Sequence, residues 1–134
     1  MSQDQLFFVG QKAFIVRDGK VLVLFNPEGK IDFPGGKIQE GEEDFPASLI
    51  REVREETGLG IEAGKPFVVW SFSLPPEHKN SGKKVFLVGF RANCSSGEVF
   101  LSNEHSSFRW IDREDLATID DGSAHFQALK KYFE

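Results

Sequence analysis

Residues 36–59 have the sequence GKIQEGEEDFPASLIREVREETGL, and this stretch decides which architecture we expect. Apolar side chains recur in it every four residues, at Phe45, Leu49 and Val53. Such a period is typical of a helix with one buried face. Asp44 is a residue type that caps helix N-termini, Pro46 fits a first helical turn, and Gly58 is a helix-stop residue. The pattern predicts a helix from about Asp44 to Thr57.

Three carboxylates share one side of this predicted helix. Glu52, Glu55 and Glu56 are three and four positions apart, which makes them neighbours on a helix surface. Their side borders the apolar stripe, so the like charges lie at the rim of buried surface, where they repel more strongly than in water. A solvated helix face would more often pair Glu with Lys four residues on. A hard divalent cation removes the conflict, and carboxylate oxygens suit Mg²⁺, or else Mn²⁺.

The glycines that precede the helix support a cation or phosphate site. Pro34-Gly35-Gly36 is expected to break regular structure. A backbone without side chains can approach the start of a helix and offer carbonyls to a metal or N–H groups to a phosphate. A diglycine alone is weak support, but it gains weight beside the three carboxylates.

The acidic charge of the chain is concentrated in the same region. The protein has 134 residues, with 16 Lys and Arg against 21 Asp and Glu, and its net charge is −5. Residues 40–56 hold seven acids and two bases, whereas the rest of the chain holds 14 of each. An acidic balance is not typical of proteins that bind duplex nucleic acid. The local excess instead indicates a cation site.

The remaining composition predicts one domain, over residues 1–134, in the cytoplasm. The length and the 40% hydrophobic content fit a single core. No apolar run approaches the ~18 residues of a membrane span, and the N-terminus lacks the basic flank of a signal peptide, so we expect no membrane partner. The lone Cys94 allows no intramolecular disulfide, which agrees with a reducing compartment, and it has no ligand-spaced partners for zinc.

Outside the helix, the patterns predict strands on both sides and more helix at the end. Apolar runs separated by turn signals indicate extended segments at 6–16, 21–25, 31–33, 66–74, 84–91 and 106–111. Asp18-Gly19 between the first two predicts a hairpin. Helices are expected at 112–119 and 123–133. Strands around a central helix predict an α/β fold with a mixed β-sheet covered by helices.

The opening stretch resembles the signature box of the Nudix hydrolases, whose pattern is G-x5-E-x7-R-E-U-x-E-E-x-G-U with U a bulky aliphatic residue. From Arg51 to Leu59 every specified position matches, and the lead-in Phe33-Pro34-Gly35-Gly36 is also similar. The first half departs from the pattern by one inserted residue. Counting back from Arg51 favours Glu43 as the box glutamate, and counting forward from Gly36 gives Glu42 as the alternative.

The resemblance implies a fold, an activity and a set of roles. The fold is the family's α/β/α sandwich, and the activity is Mg²⁺-dependent hydrolysis of a phosphoanhydride in a nucleoside diphosphate linked to another group X. In that family the R-E-x-x-E-E glutamates hold the metals, so Glu52, Glu55 and Glu56 inherit that role, with the Gly36 carbonyl as an extra ligand. Arg51 would tie the box glutamate to the helix by an ion pair.

A further group must orient or deprotonate the attacking water. Glu55 or Glu56 is one source. The other is the segment 103–110, which is similar to a stretch of many Nudix enzymes in which a loop acid or His faces the metal. Glu104 is a candidate ligand or base there, and His105 is a candidate base because imidazole titrates near neutral pH. The structural alternatives are a solvated Glu104 and a His105 that is simply hydrogen-bonded.

Some residues have both a functional and a structural interpretation. Lysines in the polar loop at 75–84 can contact phosphates or a sugar, or simply keep the loop soluble; these are Lys79, Lys83 and Lys84. Aromatic residues on strands can stack a base, but more often they are core. The residues concerned are Phe8, Trp70 and Phe72. His125 is assigned to the packing of the last helix.

We therefore expect a Nudix-type hydrolase that acts on a small nucleotide-derived substrate, with nucleoside triphosphates and nucleotide sugars as the two options. Dimers are common in that family, so a homodimer is the oligomer to test. The alternative is a catalytically silent Nudix-like domain that binds a nucleotide as a sensor. Silent members usually lack box glutamates, whereas this chain retains Glu52, Glu55 and Glu56.

Overall fold

The structure is a computed structural model that describes residues 2–134, and a mixed β-sheet runs through it. The described strands are β1 (Phe7–Arg17), β2 (Lys20–Phe25), β3 (Ile31–Asp32), β4 (Gly35–Lys37), β5 (Glu62–Ser73), β6 (Lys84–Asn93) and β7 (Ser107–Ile111). They follow the order β3-β2-β1-β6-β5, while β4 also pairs with β1 and β7 with β2. β1 and β6 run parallel, and the other pairs are antiparallel.

Helices cover both faces of this sheet. They are α1 (Phe45–Thr57), α2 (Leu116–Ile119), which follows a 3₁₀ turn at Arg113–Asp115, and α3 (Ala124–Tyr132). Ala13 of β1 packs with Leu49 of α1 on one face, and Phe14 packs with Phe126 of α3 on the other. Successive strand residues point to opposite faces, so β1 contributes to both cores. The predicted α/β/α sandwich with a mixed sheet is confirmed.

The central helix forms where the sequence predicts it. The Asp44 side chain accepts a hydrogen bond from the Ala47 N–H at 3.1 Å, which makes Asp44 the N-cap. Pro46 lies in the first turn, where no N–H is needed. Gly58 adopts a left-handed conformation, with φ 78°, and its N–H donates to the Arg54 carbonyl. Both ends of α1 are therefore fixed by the predicted residue types.

The predicted break at Pro34-Gly35-Gly36 is wrong, because the two glycines form strand β4. Gly36 pairs with Gln11 and Gly35 with Lys12 in antiparallel register. The absence of side chains permits this pairing, since a Cβ on Gly35 would overlap the Gln11 carbonyl oxygen. The glycines therefore place a backbone strand, rather than a loose turn, beside α1.

Two other segments differ in extent from the prediction. β5 begins at Glu62 rather than at residue 66, and its register with β6 shifts on either side of Pro66. A proline without an N–H is tolerated in a strand at such an irregularity. The segment predicted as one helix at 112–119 is a 3₁₀ turn followed by the short α2. Of the helices between residues 2 and 134, none is long and apolar enough to cross a membrane.

Substitution of Gly35 by Ala is expected to destabilise the protein by at least about 2 kcal/mol, because it combines backbone strain with a steric overlap. The φ angle of Gly35 is 134°, and its Cβ would meet the Gln11 carbonyl. Gly41→Ala is the matched control, since Gly41 has φ 85° but open space around it, so it should cost only about 1 kcal/mol. Urea denaturation compares the two variants. Equal losses would contradict the steric part of this account.

Candidate active site

The backbone of β4 lies directly against two carboxylates of α1. The Gly35 N–H donates a hydrogen bond to Glu56 Oε2 at 2.9 Å. Gly36 lies so close to the Glu52 carboxylate that a Cβ on Gly36 would overlap it. The backbone of the two glycines therefore packs directly against the acidic side of the helix, and no larger residue fits there.

Burial changes the proton affinity of both carboxylates. Removal from water raises the pKa of Glu56 to about 7, although the Gly35 N–H and the charge of Lys12 oppose the rise. Burial likewise raises the pKa of Glu52, against the opposing charge of Arg51. The pKa of Glu56 therefore lies close to neutral pH in the absence of a cation. A cation between the two groups would favour their charged forms.

Glu55 lies apart from this pair. Its side chain is 61% exposed and accepts a hydrogen bond from Arg51 at 2.8 Å. It is not among the residues that line the adjoining cleft. The three carboxylates predicted to share one side of the helix therefore differ in burial: Glu56 is buried, Glu52 is half-buried and Glu55 is exposed.

Arg51 also binds Glu42, and not Glu43, which we favoured as the box glutamate. Arg51 Nη2 lies 2.9 Å from Glu42 Oε2. The same carboxylate accepts hydrogen bonds from the Gln39 N–H and the Ser48 hydroxyl, both at 2.7 Å. These partners hold the pKa of Glu42 below its usual value, and the Gln39 N–H contributes most. Glu43 is exposed. The inserted residue is accommodated between Glu42 and the start of α1, which leaves Glu42 in reach of Arg51.

A cleft of about 340 Å³ opens beside β4. Its apolar floor is formed by strand residues, namely Phe72, Val85 and Leu87. Its polar walls are formed by Lys12, Asp32, Glu56, Glu104 and His125 together with the glycines of β4. The carboxylates of α1 and the loop before β7 thus meet around one space.

Sequence reasoning missed a buried charged network at the inner end of the cleft. The Lys12 ammonium lies 3.0 Å from Asp32 Oδ1. Asp32 Oδ2 accepts a hydrogen bond from His105 Nε2 at 2.9 Å, and His125 Nε2 lies 3.5 Å from Oδ1. Two local signals could have indicated it: a lysine within an apolar strand run, and an aspartate directly before the Phe33-Pro34-Gly35-Gly36 lead-in.

The network keeps its members charged. Burial raises the pKa of Asp32, but the Lys12 charge and the hydrogen bonds from His105 and His125 outweigh it and hold the pKa well below the usual value. Burial lowers the pKa of Lys12, but Asp32 and Glu56 outweigh it and leave the pKa raised. The hydrogen bond to Asp32 raises the pKa of His105. Lys12 therefore supplies a fixed positive charge beside Glu52 and Glu56.

The loop before β7 brings two more donors to the site. Glu104 is exposed and lines the cleft, whereas His105 is buried. Atoms of Glu56, Glu104 and His105 that can bind a metal all lie within 4.8 Å of one another. Since Asp32 can only accept, His105 Nε2 carries a hydrogen, and Nδ1 is buried with no hydrogen-bond partner among residues 2–134. Carboxylates, a backbone carbonyl and one imidazole fit a hard or borderline divalent cation.

The structure also distinguishes the functional from the structural interpretation of the strand aromatics and of His125. Trp70 donates its Nε1–H to His125 Nδ1 at 3.2 Å and so belongs to the network. His125 lines the cleft in addition to packing against Phe33, so its assignment to packing alone is wrong. Phe8 is 36% exposed, and the ammonium of Lys83 lies over its ring.

The site thus presents helix carboxylates to a diglycine strand beside a polar cleft, within a mixed α/β sandwich. Residues 8–132 match the model of the NUDIX domain. The chain belongs to the Nudix family and is a Nudix pyrophosphohydrolase, which acts on nucleoside diphosphates linked to a further group.

Solved structures agree with this assignment. The MutT protein from Methanosarcina mazei Go1 is 28% identical, over 98% of this chain and 96% of that chain, with a TM-score of 0.80. The MutT NUDIX hydrolase from Burkholderia pseudomallei is 25% identical, over 96% and 98%, with a TM-score of 0.73. The mutator MutT protein from Bacillus halodurans is 22% identical, over 96% and 83%, with a TM-score of 0.75, and shows the fold alone.

The Arg51 contacts can be tested by paired substitutions. Glu42→Gln should lower the melting temperature, because Arg51 and the Gln39 N–H lose their charged partner, whereas Glu43→Gln should leave it unchanged. Both variants remove one negative charge from the same loop, so the net charge is matched. A larger effect of Glu43→Gln would contradict the observed pairing.

The raised pKa of Glu56 predicts how the stability of the metal-free protein depends on pH. Because the folded pKa is about 7, above the ordinary 4.5, the folded state binds more protons between these values. The free energy of unfolding should therefore fall as pH rises from about 4.5 to 7, by on the order of 3 kcal/mol. The raised pKa of His105 acts in the same direction, while Asp32 contributes constantly above its usual pKa.

Urea denaturation at pH 5 and pH 8 in the presence of a chelator measures this change. Glu56→Gln should remove most of the slope, and Glu55→Gln, which alters an exposed carboxylate one position away, should retain it. An unchanged slope in Glu56→Gln would show that another group titrates.

Proposed function

We propose that the protein is a Mg²⁺-dependent hydrolase of a phosphoanhydride bond in a nucleoside diphosphate linked to X, such as a nucleoside triphosphate or a nucleotide sugar. One observation carries the proposal: Glu52 and Glu56 converge on the backbone of Gly35 and Gly36 at the edge of a cleft. That arrangement concentrates negative charge beside a strand backbone that carries no side chains. It is costly unless a cation and an anionic substrate occupy it together.

The residues present fit Mg²⁺, with Mn²⁺ as the alternative. Glu52, Glu56 and the Gly36 carbonyl would hold the ion. Glu104 lines the same cleft and offers a further oxygen, whereas Glu55 would first have to leave Arg51. One ring nitrogen of the buried His105 also lies within 4.8 Å of ligand atoms of Glu56 and Glu104, so His105 is a further candidate ligand. When bound, such an ion neutralises charge on phosphoryl oxygens and lowers the pKa of a water. The substrate's own phosphates normally complete the coordination of Mg²⁺.

Glu104 is the residue that we assign to the attacking water. Its carboxylate lines the cleft and has no hydrogen bond or ion pair in the part of the chain that the structure describes. A free carboxylate there can accept a proton from water held near Glu56. His105, fixed by Asp32, is the second candidate base, and its buried ring also limits how the loop can move. Glu55 and Glu56 remain candidates for the base, but the Glu55 carboxylate already accepts a hydrogen bond from Arg51 and the Glu56 carboxylate accepts one from the Gly35 N–H.

Lys12 keeps the acidic site stable before any ligand arrives. Its ammonium is buried among Asp32, Glu56 and Glu52, and it also lies 3.5 Å from the Gly35 carbonyl. It therefore offsets part of the repulsion between the helix carboxylates and holds the end of β4. The acidic side can remain assembled in this way without a bound cation.

Purified protein with Mg²⁺ should release phosphate-containing products from at least one member of a panel of nucleoside triphosphates, nucleotide sugars, ADP-ribose and dinucleoside polyphosphates. Glu56→Gln and Glu52→Gln should lower kcat/KM by about two orders of magnitude or more, because each removes a ligand. Glu55→Gln should cost less, since Glu55 points to Arg51. Glu104→Gln should lower kcat while the Mg²⁺ affinity is largely kept.

Glu43→Gln is the matched control, since it removes an exposed carboxylate from the same acidic segment. Mg²⁺ should also raise the melting temperature of the wild type and not that of a Glu52/Glu56 double Gln variant. Nucleotide binding without turnover of any panel member, with Mg²⁺ or Mn²⁺, would favour the silent sensor. Loss of Mg²⁺ affinity in Glu104→Gln would make Glu104 a ligand instead of the base.

A further inference from the structure

The apolar floor of the cleft continues beyond the candidate metal site to Phe8. Val85 of β6 lies in register with Phe8 of β1 on one side and with Phe72 of β5 on the other. Residues paired across strands share a face of the sheet. Since Val85 and Phe72 line the cleft, Phe8 is the third member of the same row, and it lines an adjoining depression together with Lys83.

Two lysines from different segments place their ammonium groups over this one ring. Lys37 of β4 lies 5.5 Å from the ring centre, and Lys83, which precedes β6, lies 5.7 Å from it. Neither ammonium forms an ion pair with a carboxylate among residues 2–134. The Phe8 ring is 36% exposed, Lys83 is exposed and Lys37 is half-buried. Phe8, Lys37 and Lys83 are called the outer subsite below.

The outer subsite is electrostatically unlike the rest of the site. The negative face of an aromatic ring attracts each ammonium but cannot neutralise two of them. What sets these two lysines apart is that they come from different segments and converge on one ring. An anion between them would satisfy both charges, and the flexible, compact ammonium suits phosphate oxygens.

The position of the outer subsite relative to the candidate metal site indicates which anion it would bind. Gly10 of β1 abuts the Gly36 carbonyl, since a Cβ on Gly10 would lie 3.2 Å from that oxygen. Phe8 is two residues further along the strand, roughly 7 Å away. In the opposite direction, Lys12 and Asp32 close the inner end. A group attached to the scissile phosphate that extends outward along β1 would therefore reach the outer subsite.

We propose that the outer subsite binds negative charge on the group X, so that the protein favours substrates in which X is a phosphate or a phosphorylated group over those in which X is a neutral sugar. This inference rests on the proposed function and adds a substrate class to it. Phe8, Lys37 and Lys83 thereby determine specificity without taking part in the chemistry.

The test compares a nucleoside triphosphate with the diphosphate sugar of the same nucleoside. Lys83→Gln and Lys37→Gln should each lower kcat/KM for the triphosphate by about tenfold, mainly through KM, and change that for the sugar by less than about twofold. The salt dependence of KM for the triphosphate should weaken in the double variant. Phe8→Leu, which keeps the apolar bulk but removes the ring, should give an intermediate loss.

Lys84→Gln is the matched control. Lys84 is adjacent in sequence to Lys83 but pairs with Phe7, so it lies on the other face of the sheet. It removes the same charge, and it should leave both substrates unaffected. Equal losses for the two substrates in Lys83→Gln would overturn the inference, because the lysine would then contact phosphates common to both. Unchanged constants for both substrates would overturn it as well.

A binding measurement separates this inference from the proposed function. Inorganic tripolyphosphate in the presence of Mg²⁺ should bind the Lys37/Lys83 double Gln variant about tenfold more weakly than the wild type or Lys84→Gln. Equal binding to all three proteins would overturn the outer subsite even if hydrolysis is found. Absence of hydrolysis across the panel together with lysine-dependent binding would refute only the catalytic proposal.

Discussion

The hydrogen bond between the Gly35 N–H and the Glu56 carboxylate is the contact on which the site depends. It requires that β4 lie against α1 more closely than any side chain would permit, and Gly35 and Gly36 meet that requirement. The bond ties the start of the cleft to the last turns of the helix. Because the capped ends of α1 fix the position of that helix, the carboxylates are presented from a rigid element instead of a loop.

This contact buries a carboxylate, and the surrounding charges are arranged accordingly. Glu56 is removed from water, which favours its protonated form. Lys12 counters the acidic side from within the sheet, and Asp32 in turn keeps Lys12 charged and orients His105 and His125. Five segments distant in sequence therefore form one electrostatic unit. A change in any member would be felt by the others, since buried charges are weakly screened.

Sequence analysis could find what is encoded locally and missed what is created by strand pairing. The period of Phe45, Leu49 and Val53 and the residues at its ends predicted α1, because helix limits depend on nearby side chains. The spacing of the glutamates likewise predicted their shared side. By contrast, Lys12, Asp32 and His125 meet only after β1, β3 and α3 assemble, and no periodicity links them. The choice of Glu43 over Glu42 failed because residue counting assumes a fixed loop path.

The sign of the charge changes along the cleft, from its inner end to its outer end. Two acids of residues 40–56, Glu52 and Glu56, lie against the diglycine strand. Lys37 and Lys83 meet over Phe8 at the outer end, and Lys12 is buried at the inner end. A polyphosphate with its cation is itself a molecule of alternating charge, positive at the metal and negative at the flanking phosphates. Such a ligand matches an acidic centre bounded by ammonium groups better than it matches a uniformly basic surface. The overall negative charge of the chain is thus compatible with the proposed site, in which a cation would attract phosphate.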